Sequence, residues 1–179
     1  IIHNDANDNN IIVSENLLSP KVKTLIDFGD AIYTQVINDV AVACAYAVFG
    51  LEDPLQGILP VLKGYHEIYP LEPEELEVLY VCLGIRLVIS ATKSALNKID
   101  EPDNTYLQIS DTSAWELLNK WKDVNDKLAL FSFRHTCGYQ GHPNEAAFMG
   151  WSQGQTFRIS ELFPESGADD ITPIDLSVG

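Results

Sequence analysis

Basic residues are scarce in this chain of 179 residues, which has 11 Lys and Arg against 26 Asp and Glu and a net charge of −15. A surface of this sign repels phosphodiester backbones and anionic lipids, so neither nucleic acid nor a membrane is expected as a partner. Cysteine is also rare. Three cysteines, an odd number, with two of them inside apolar helical segments, predict reduced structural thiols in a cytoplasmic protein.

Long apolar runs are absent as well. The longest, at residues 78–89, is interrupted by Gly84 and Arg86 and falls short of the roughly 18 residues that a membrane-spanning helix needs. No signal peptide is recognisable at the start of the sequence. We therefore expect no membrane span and no export signal.

The apolar runs that are present predict a mainly α domain with a small β-hairpin. Two β-branched runs, at residues 11–13 and 23–26, flank a polar loop that contains Pro20. Asp53 before Pro54, and Pro73 before a group of glutamates, are typical helix starts. Helices are predicted over residues 36–49, 54–69 and 73–98, and from a cap at Asp111 or Thr112 to residue 124.

The composition changes near residue 130. From Phe131 onward glycines and turn residues are frequent, and we find no helical periodicity. A short β-like run lies at residues 155–159. The sequence therefore predicts one domain over residues 1–130, followed at residues 131–179 by a linker or the start of a further domain.

Three polar motifs near the start carry the chemistry. His3, Asp5 and Asn10 follow the spacing H-x-D-x-x-x-x-N, and after the hairpin Asp27 opens the triplet D-F-G. Phosphoryl transfer needs a carboxylate that orients the attacking hydroxyl and accepts its proton, a role assigned to Asp5. It also needs oxygen ligands for Mg²⁺, which Asn10 and Asp27 supply. The alternative is that all of these are turn residues, with Gly29 at positive φ.

At these residues the sequence resembles the aminoglycoside phosphotransferase family, the choline-kinase-like group of the protein-kinase-like fold. Family members have H-G-D-x-x-x-x-N, followed by I-D-[FW]-[GE]-[DE], and residues 25–31, LIDFGDA, are similar to the second motif. Residues 37–41, INDVA, are similar to the family's Y-D-L-A. Within the family, the sequence resembles hydroxylysine-kinase-like proteins and the kinase module that some bacteria fuse ahead of a peptidase-like domain and a class III aminotransferase.

The resemblance covers residues 1–130 and implies the C-terminal lobe of that fold. It implies that His3 orients the catalytic loop through bonds to backbone. It also implies that Asp39 is structural, opening a helix as its N-cap and bonding to the catalytic loop, the alternative being a direct role in catalysis. Asn4 stands where the family motif has glycine.

Further residues are candidates for substrate binding. Asp30 either assists the metal or binds an ammonium group of the substrate, or it only caps the following loop. Arg86 lies in an apolar helix and needs a partner, because an unpaired buried charge is costly. We expect an ion pair with Asp39 or Asp30, the alternative being contact with a substrate carboxylate. Tyr33 is assigned to the same acceptor pocket.

The resemblance implies a small-molecule kinase that uses ATP or GTP and Mg²⁺. Its expected acceptor is the hydroxyl of an amino alcohol or hydroxy amino acid. The family's Gly-rich loop, strand lysine and helix glutamate precede the catalytic loop, whereas only Ile1 and Ile2 precede His3. We therefore expect a fragment without its N-terminal ATP-binding lobe, inactive alone and joined to downstream domains in the intact polypeptide. The alternative is a non-catalytic kinase-like scaffold or regulatory module of a multidomain protein.

Overall fold

The computed structural model describes residues 1–16, 18–100 and 111–153, so the β-like run at residues 155–159 lies outside the described part. The described chain is mainly helical with one two-stranded antiparallel sheet, which confirms that part of the prediction. The elements follow in the order β1 (Ile11–Val13), β2 (Val22–Leu25), α1 (Ile37–Ala47), α2 (Pro54–Ile68), α3 (Pro73–Asp100), α4 (Asp111–Trp121), α5 (Asp126–Thr136) and α6 (Glu145–Gln153).

The hairpin joins the two segments that contain the polar motifs. β1 pairs with β2 in a register that sets Ile11 opposite Leu25 and Ile12 opposite Thr24. The pairing continues past the strands, because the Ile26 amide donates to the Asn10 carbonyl at 3.0 Å. The residues that follow β2 are thereby held beside the end of the loop that precedes β1.

Helix α3 is the centre of the core and packs against α1, α4 and α5. Its fully buried leucines recur every three or four residues, the spacing of one helical face: Leu76, Leu79, Leu83 and Leu87. The small buried residues of α1, such as Ala41 and Ala45, face this core. Burial also raises the pKa of the Cys44 thiol to about 12, so this cysteine is an inert core residue.

Helix α3 spans Pro73–Asp100, whereas the longest apolar run in the sequence covers only residues 78–89. By length and composition, Pro73–Ile99 is sufficient to cross a membrane, contrary to the expectation that no segment is long enough. This is weak evidence for a span, because core helices pass the same test. The leucine face of α3 lies in the core, while Val81, Ile85 and Val88 are about half exposed.

The expectation that no helix follows residue 130 was wrong. Helix α5 crosses this point; the Asn125 side chain caps it by accepting from the Leu128 amide at 2.9 Å. Ala129, Phe133 and Cys137, spaced four residues apart, are buried in the core. The predicted division between residues 130 and 131 therefore falls inside a core helix. The four-residue spacing of these apolar residues is short and is followed by glycine-rich sequence, so it was not recognised as a helix.

Candidate active site

The loop before β1 is anchored by the buried side chain of His3. Its Nε2 donates to the Ile26 carbonyl at 3.0 Å, and its ring packs on Phe28 with centroids 4.7 Å apart. The other ring nitrogen, Nδ1, accepts from the Asp5 amide at 3.3 Å. Because Nδ1 accepts and Nε2 donates, this network uses the tautomer that carries its proton on Nε2. His3 thus ties the loop to the segment that follows β2.

Both oxygens of the Asp5 carboxylate are engaged by donors. Oδ1 accepts from Arg86 Nη2 at 2.7 Å. The Asp5 side chain is 22% exposed and the Arg86 side chain 18%. Oδ2 accepts from the side-chain amides of Asn7 and Asn10, both at 3.0 Å. Three donors from two parts of the chain therefore define the orientation of this carboxylate.

The partner of Arg86 is Asp5 and not, as expected, Asp39 or Asp30. Asp39 is otherwise engaged, because its Oδ1 accepts from the Asn4 amide at 2.8 Å. Asp30 lies on the exposed surface in the short 3-10 turn Phe28–Asp30. The long Arg86 side chain instead reaches from the middle of α3 to the loop before β1.

Asn10 and Asp27 are the predicted metal ligands, and the hairpin sets the backbone of Asn10 beside Ile26, the residue that precedes Asp27. Asn10 is buried and donates from Nδ2 to both the carbonyl and the Oδ2 of Asp5, so its own Oδ1 is the atom left for a ligand. Asp27 is exposed, and its Oδ1 accepts from the Gly29 amide at 3.3 Å. Amide and carboxylate oxygens are the ligands that Mg²⁺ takes, so this donor set fits the ion.

Asp39 lies in the first turn of α1, but it is not the N-cap that the resemblance implied. The N-cap position is held by Val36, which makes no side-chain cap bond. Asp39 is the third residue of the helix and bonds to the loop through the Asn4 amide. It connects α1 to the residue that immediately precedes Asp5.

Asn4 occupies the position where the family motif has glycine. Its backbone conformation is one that both asparagine and glycine can adopt. Its φ is 66°, in the left-handed region that glycine and asparagine tolerate best. Its side chain adds one exposed contact, from Nδ2 to the Asp30 carbonyl at 3.3 Å. Asparagine therefore keeps the conformation of the loop.

We expect Asn4→Val to lower the free energy of unfolding by about 1–2 kcal/mol, because a β-branched residue resists this backbone conformation. Asn4→Gly, the matched control, is expected to change it by less than about 0.5 kcal/mol. Chemical denaturation of both variants measures the difference. Equal stability of the two variants would contradict the assignment of strain to this position.

The remaining predicted residues lie at the edge of this arrangement. Asp30 reaches the loop through its backbone carbonyl, which accepts from Asn4. Tyr33 is 88% exposed. Among the hydrogen bonds described for residues 1–16, 18–100 and 111–153, neither side chain bonds to Asp5.

Sequence reasoning missed two residues that contact this site. Asn7 lies in the loop and donates to Asp5, and Tyr46 of α1 accepts from Arg86 Nη2 at 3.1 Å. Tyr46 is a polar side chain in an apolar helix, the same signal that drew attention to Arg86. That signal, applied to both helices, would have found it.

Comparison with known proteins gives one family and a set of curated relatives. The model of the phosphotransferase enzyme family matches residues 1–76. Hydroxylysine kinase of Xenopus laevis is 30% identical over 132 residues, which are 69% of this chain and 35% of that protein. The Mus musculus protein of the same name is 28% identical over 133 residues, 71% of this chain and 35% of its own length.

Hydroxylysine kinase of Danio rerio is 28% identical over 131 residues, which are 72% of this chain and 37% of that protein. The chain thus spans about a third of the length of these relatives. No solved structure matches it. The match of the family model begins at the first residue and includes the loop, the hairpin, α1 and α2.

Proposed function

We propose that the chain, whose residues 1–76 match the model of the phosphotransferase enzyme family, carries the catalytic residues of a small-molecule kinase. The reaction transfers the γ-phosphoryl group of ATP or GTP to the hydroxyl of an amino alcohol or hydroxy amino acid. Relatives named hydroxylysine kinase support an acceptor of this class. The observation that carries the proposal is the Asp5 carboxylate, held by three donors beside Asn10.

In the proposed mechanism Asp5 orients the acceptor hydroxyl and takes its proton as the hydroxyl oxygen attacks the γ-phosphorus. Asn10 and Asp27 would hold Mg²⁺, which supplies neutralisation of the phosphate charge when bound. His3 and Asp39 hold the loop backbone on either side of Asp5. Because these contacts exist before substrate arrives, the carboxylate needs little reorganisation during the reaction.

Activity is proposed for the full-length protein. The chain spans about a third of the length of the relatives it matches. We propose that this chain acts as the C-terminal lobe and is inactive alone. The preserved Asp5, Asn10 and Asp27 favour an enzyme over a scaffold, because a scaffold has no need of these side chains.

The experiment that tests this proposal is an acceptor panel. Full-length protein is incubated with Mg²⁺ and ATP or GTP together with amino alcohols and hydroxy amino acids, and phosphorylated products are detected by mass spectrometry. The isolated chain of 179 residues is assayed in parallel and is expected to give no product. Nucleotide binding without transfer to any acceptor would favour the scaffold alternative.

We expect Asp27→Asn in the full-length protein to raise the Mg²⁺ concentration for half-maximal rate by at least about 10-fold. Asparagine tolerates the left-handed backbone found here, where φ is 60°, so the change removes charge without straining the turn. The Mg²⁺ dependence of the rate measures the effect. Glu15→Gln, an exposed change in the hairpin turn, is the control. An unchanged Mg²⁺ dependence in Asp27→Asn would remove Asp27 from the metal site.

A further inference from the structure

The two oxygens of the Asp5 carboxylate are not equivalent. Counting donors among residues 1–16, 18–100 and 111–153, Oδ2 accepts two hydrogen bonds, from Asn7 and Asn10, whereas Oδ1 accepts one, from Arg86. A carboxylate oxygen has about two lone-pair sites. Oδ2 is therefore filled by the amides, and Oδ1 keeps one site open next to the guanidinium.

We propose that Arg86 is the positioning residue of the catalytic base and that Oδ1 is the atom that receives the acceptor's proton. This inference rests on the proposed phosphotransferase function. In the step, the hydroxyl oxygen forms a bond to the γ-phosphorus and its proton passes to Oδ1. The bond from that phosphorus to the bridging oxygen breaks, and its electron pair leaves with the nucleoside diphosphate.

The way in which Arg86 meets Asp5 supports this role. The contact is made by Nη2 alone, and Nε is buried with no hydrogen-bond partner in the described part of the chain. A two-point contact, which is the commoner geometry for a strong arginine–carboxylate pair, would occupy both oxygens. The single contact instead orients the carboxylate together with the two amides on Oδ2, and it leaves Oδ1 able to accept a second hydrogen bond.

Arg86 is itself held by two helices. Its Nη2 also donates to the Tyr46 hydroxyl at 3.1 Å, and its guanidinium carbon lies 5.3 Å from the centre of the Tyr46 ring. Since this hydroxyl accepts from Arg86, its own proton is available to Ser90 Oγ, 3.1 Å away. Ser90, Tyr46 and Arg86 thus form a chain of contacts that connects α3 and α1 to the base.

The test compares four variants of the full-length protein. In Arg86→Met, we expect kcat to fall about 10²-fold while KM for the acceptor stays within about 3-fold, because the base is misplaced but substrate contacts remain. Arg86→Lys is expected to recover part of the loss, because one ammonium can replace a single contact. Tyr46→Phe is expected to lower kcat about 3- to 10-fold, the equivalent of one hydrogen bond.

The matched control is Arg134→Met. Arg134 lies in α5, and its Nε is also buried without a hydrogen-bond partner, but within the part of the chain that the structure describes it makes no hydrogen bond to the loop. It is expected to leave kcat unchanged. A loss in Arg134→Met equal to that in Arg86→Met would assign the effect to helix packing and overturn the inference. A raised KM with unchanged kcat in Arg86→Met would assign Arg86 to a substrate carboxylate and overturn it too.

A crystal structure of each variant gives a readout that does not depend on turnover. In Arg86→Met, Oδ1 is expected to move by about 1 Å or more, a displacement that matters for catalysis, while Arg134→Met leaves it in place. An unmoved Asp5 carboxylate would overturn the inference even if the wild type proved inactive with every acceptor. If Arg86→Met does not fold, Arg86→Lys and Tyr46→Phe decide, and unchanged kcat in both overturns it.

Discussion

Asp5→Asn in the full-length protein is expected to lower kcat by about 10²- to 10⁴-fold, the contribution of a positioned general base. The amide that replaces the carboxylate has no basic oxygen for the acceptor's proton. It also lacks the charge that Arg86 contacts at 2.7 Å. Asn10 and Asp27 are unchanged, so affinity for the Mg²⁺–nucleotide complex is expected to remain. Steady-state kinetics and calorimetric titration with Mg²⁺–ATP measure the two quantities separately.

The control for this variant is Asp8→Asn, an exposed carboxylate in the same loop. It removes the same charge three positions farther along and is expected to leave kcat within about 3-fold, because exposed side chains away from such contacts tolerate substitution. Thermal unfolding of both variants separates catalytic loss from loss of fold. An Asp5→Asn enzyme that retains wild-type turnover would end the assignment of Asp5 as the base.

Phe133→Ala is expected to lower the free energy of unfolding by about 3–5 kcal/mol, the usual cost of removing a buried aromatic side chain. Phe133 is fully buried in the core and lies in α5, beyond the predicted domain boundary. A loss of this size is a large part of the stability of an ordinary domain. Chemical denaturation, followed by circular dichroism, measures it.

Phe131→Ala in the same helix is the comparison. Phe131 is only partly buried and packs against His142 with ring centroids 5.1 Å apart, so a smaller loss is expected. A loss in Phe133→Ala no greater than that in Phe131→Ala would mean that α5 is peripheral. It would then support the predicted division after residue 130.

Local sequence signals were sufficient for most of the elements. β1 lies where the β-branched run predicted it, and α2 starts at Pro54 after the Asp53 cap, whose side chain accepts from the Gln56 amide at 3.0 Å. These features depend on neighbours within a few residues. Helix α5 was missed because it has only 11 residues, with two apolar side chains buried in the core, and precedes a glycine-rich stretch.

In the candidate site, too, contacts between residues close in sequence could be predicted, whereas a contact between distant residues could not. His3, Asp5 and Asn10 lie within one short loop, so their spacing alone predicted that they would be close together. The partner of Arg86 was predicted wrongly, because it lies 81 positions away and is set by how α3 packs on the rest of the chain. That Arg86 needs a partner could be deduced from the free-energy cost of burying an unpaired charge. Which residue is the partner depends on tertiary packing.

The ion pair between the loop and α3 also has a consequence for biosynthesis. Asp5 leaves the ribosome 81 residues before Arg86, and with it come the histidine and asparagine of the same loop. Until the long helix has been made and has docked, the carboxylate faces water without its counter-charge. The nascent chain therefore carries the chemical groups early but acquires their working arrangement late, once translation has passed the middle of α3.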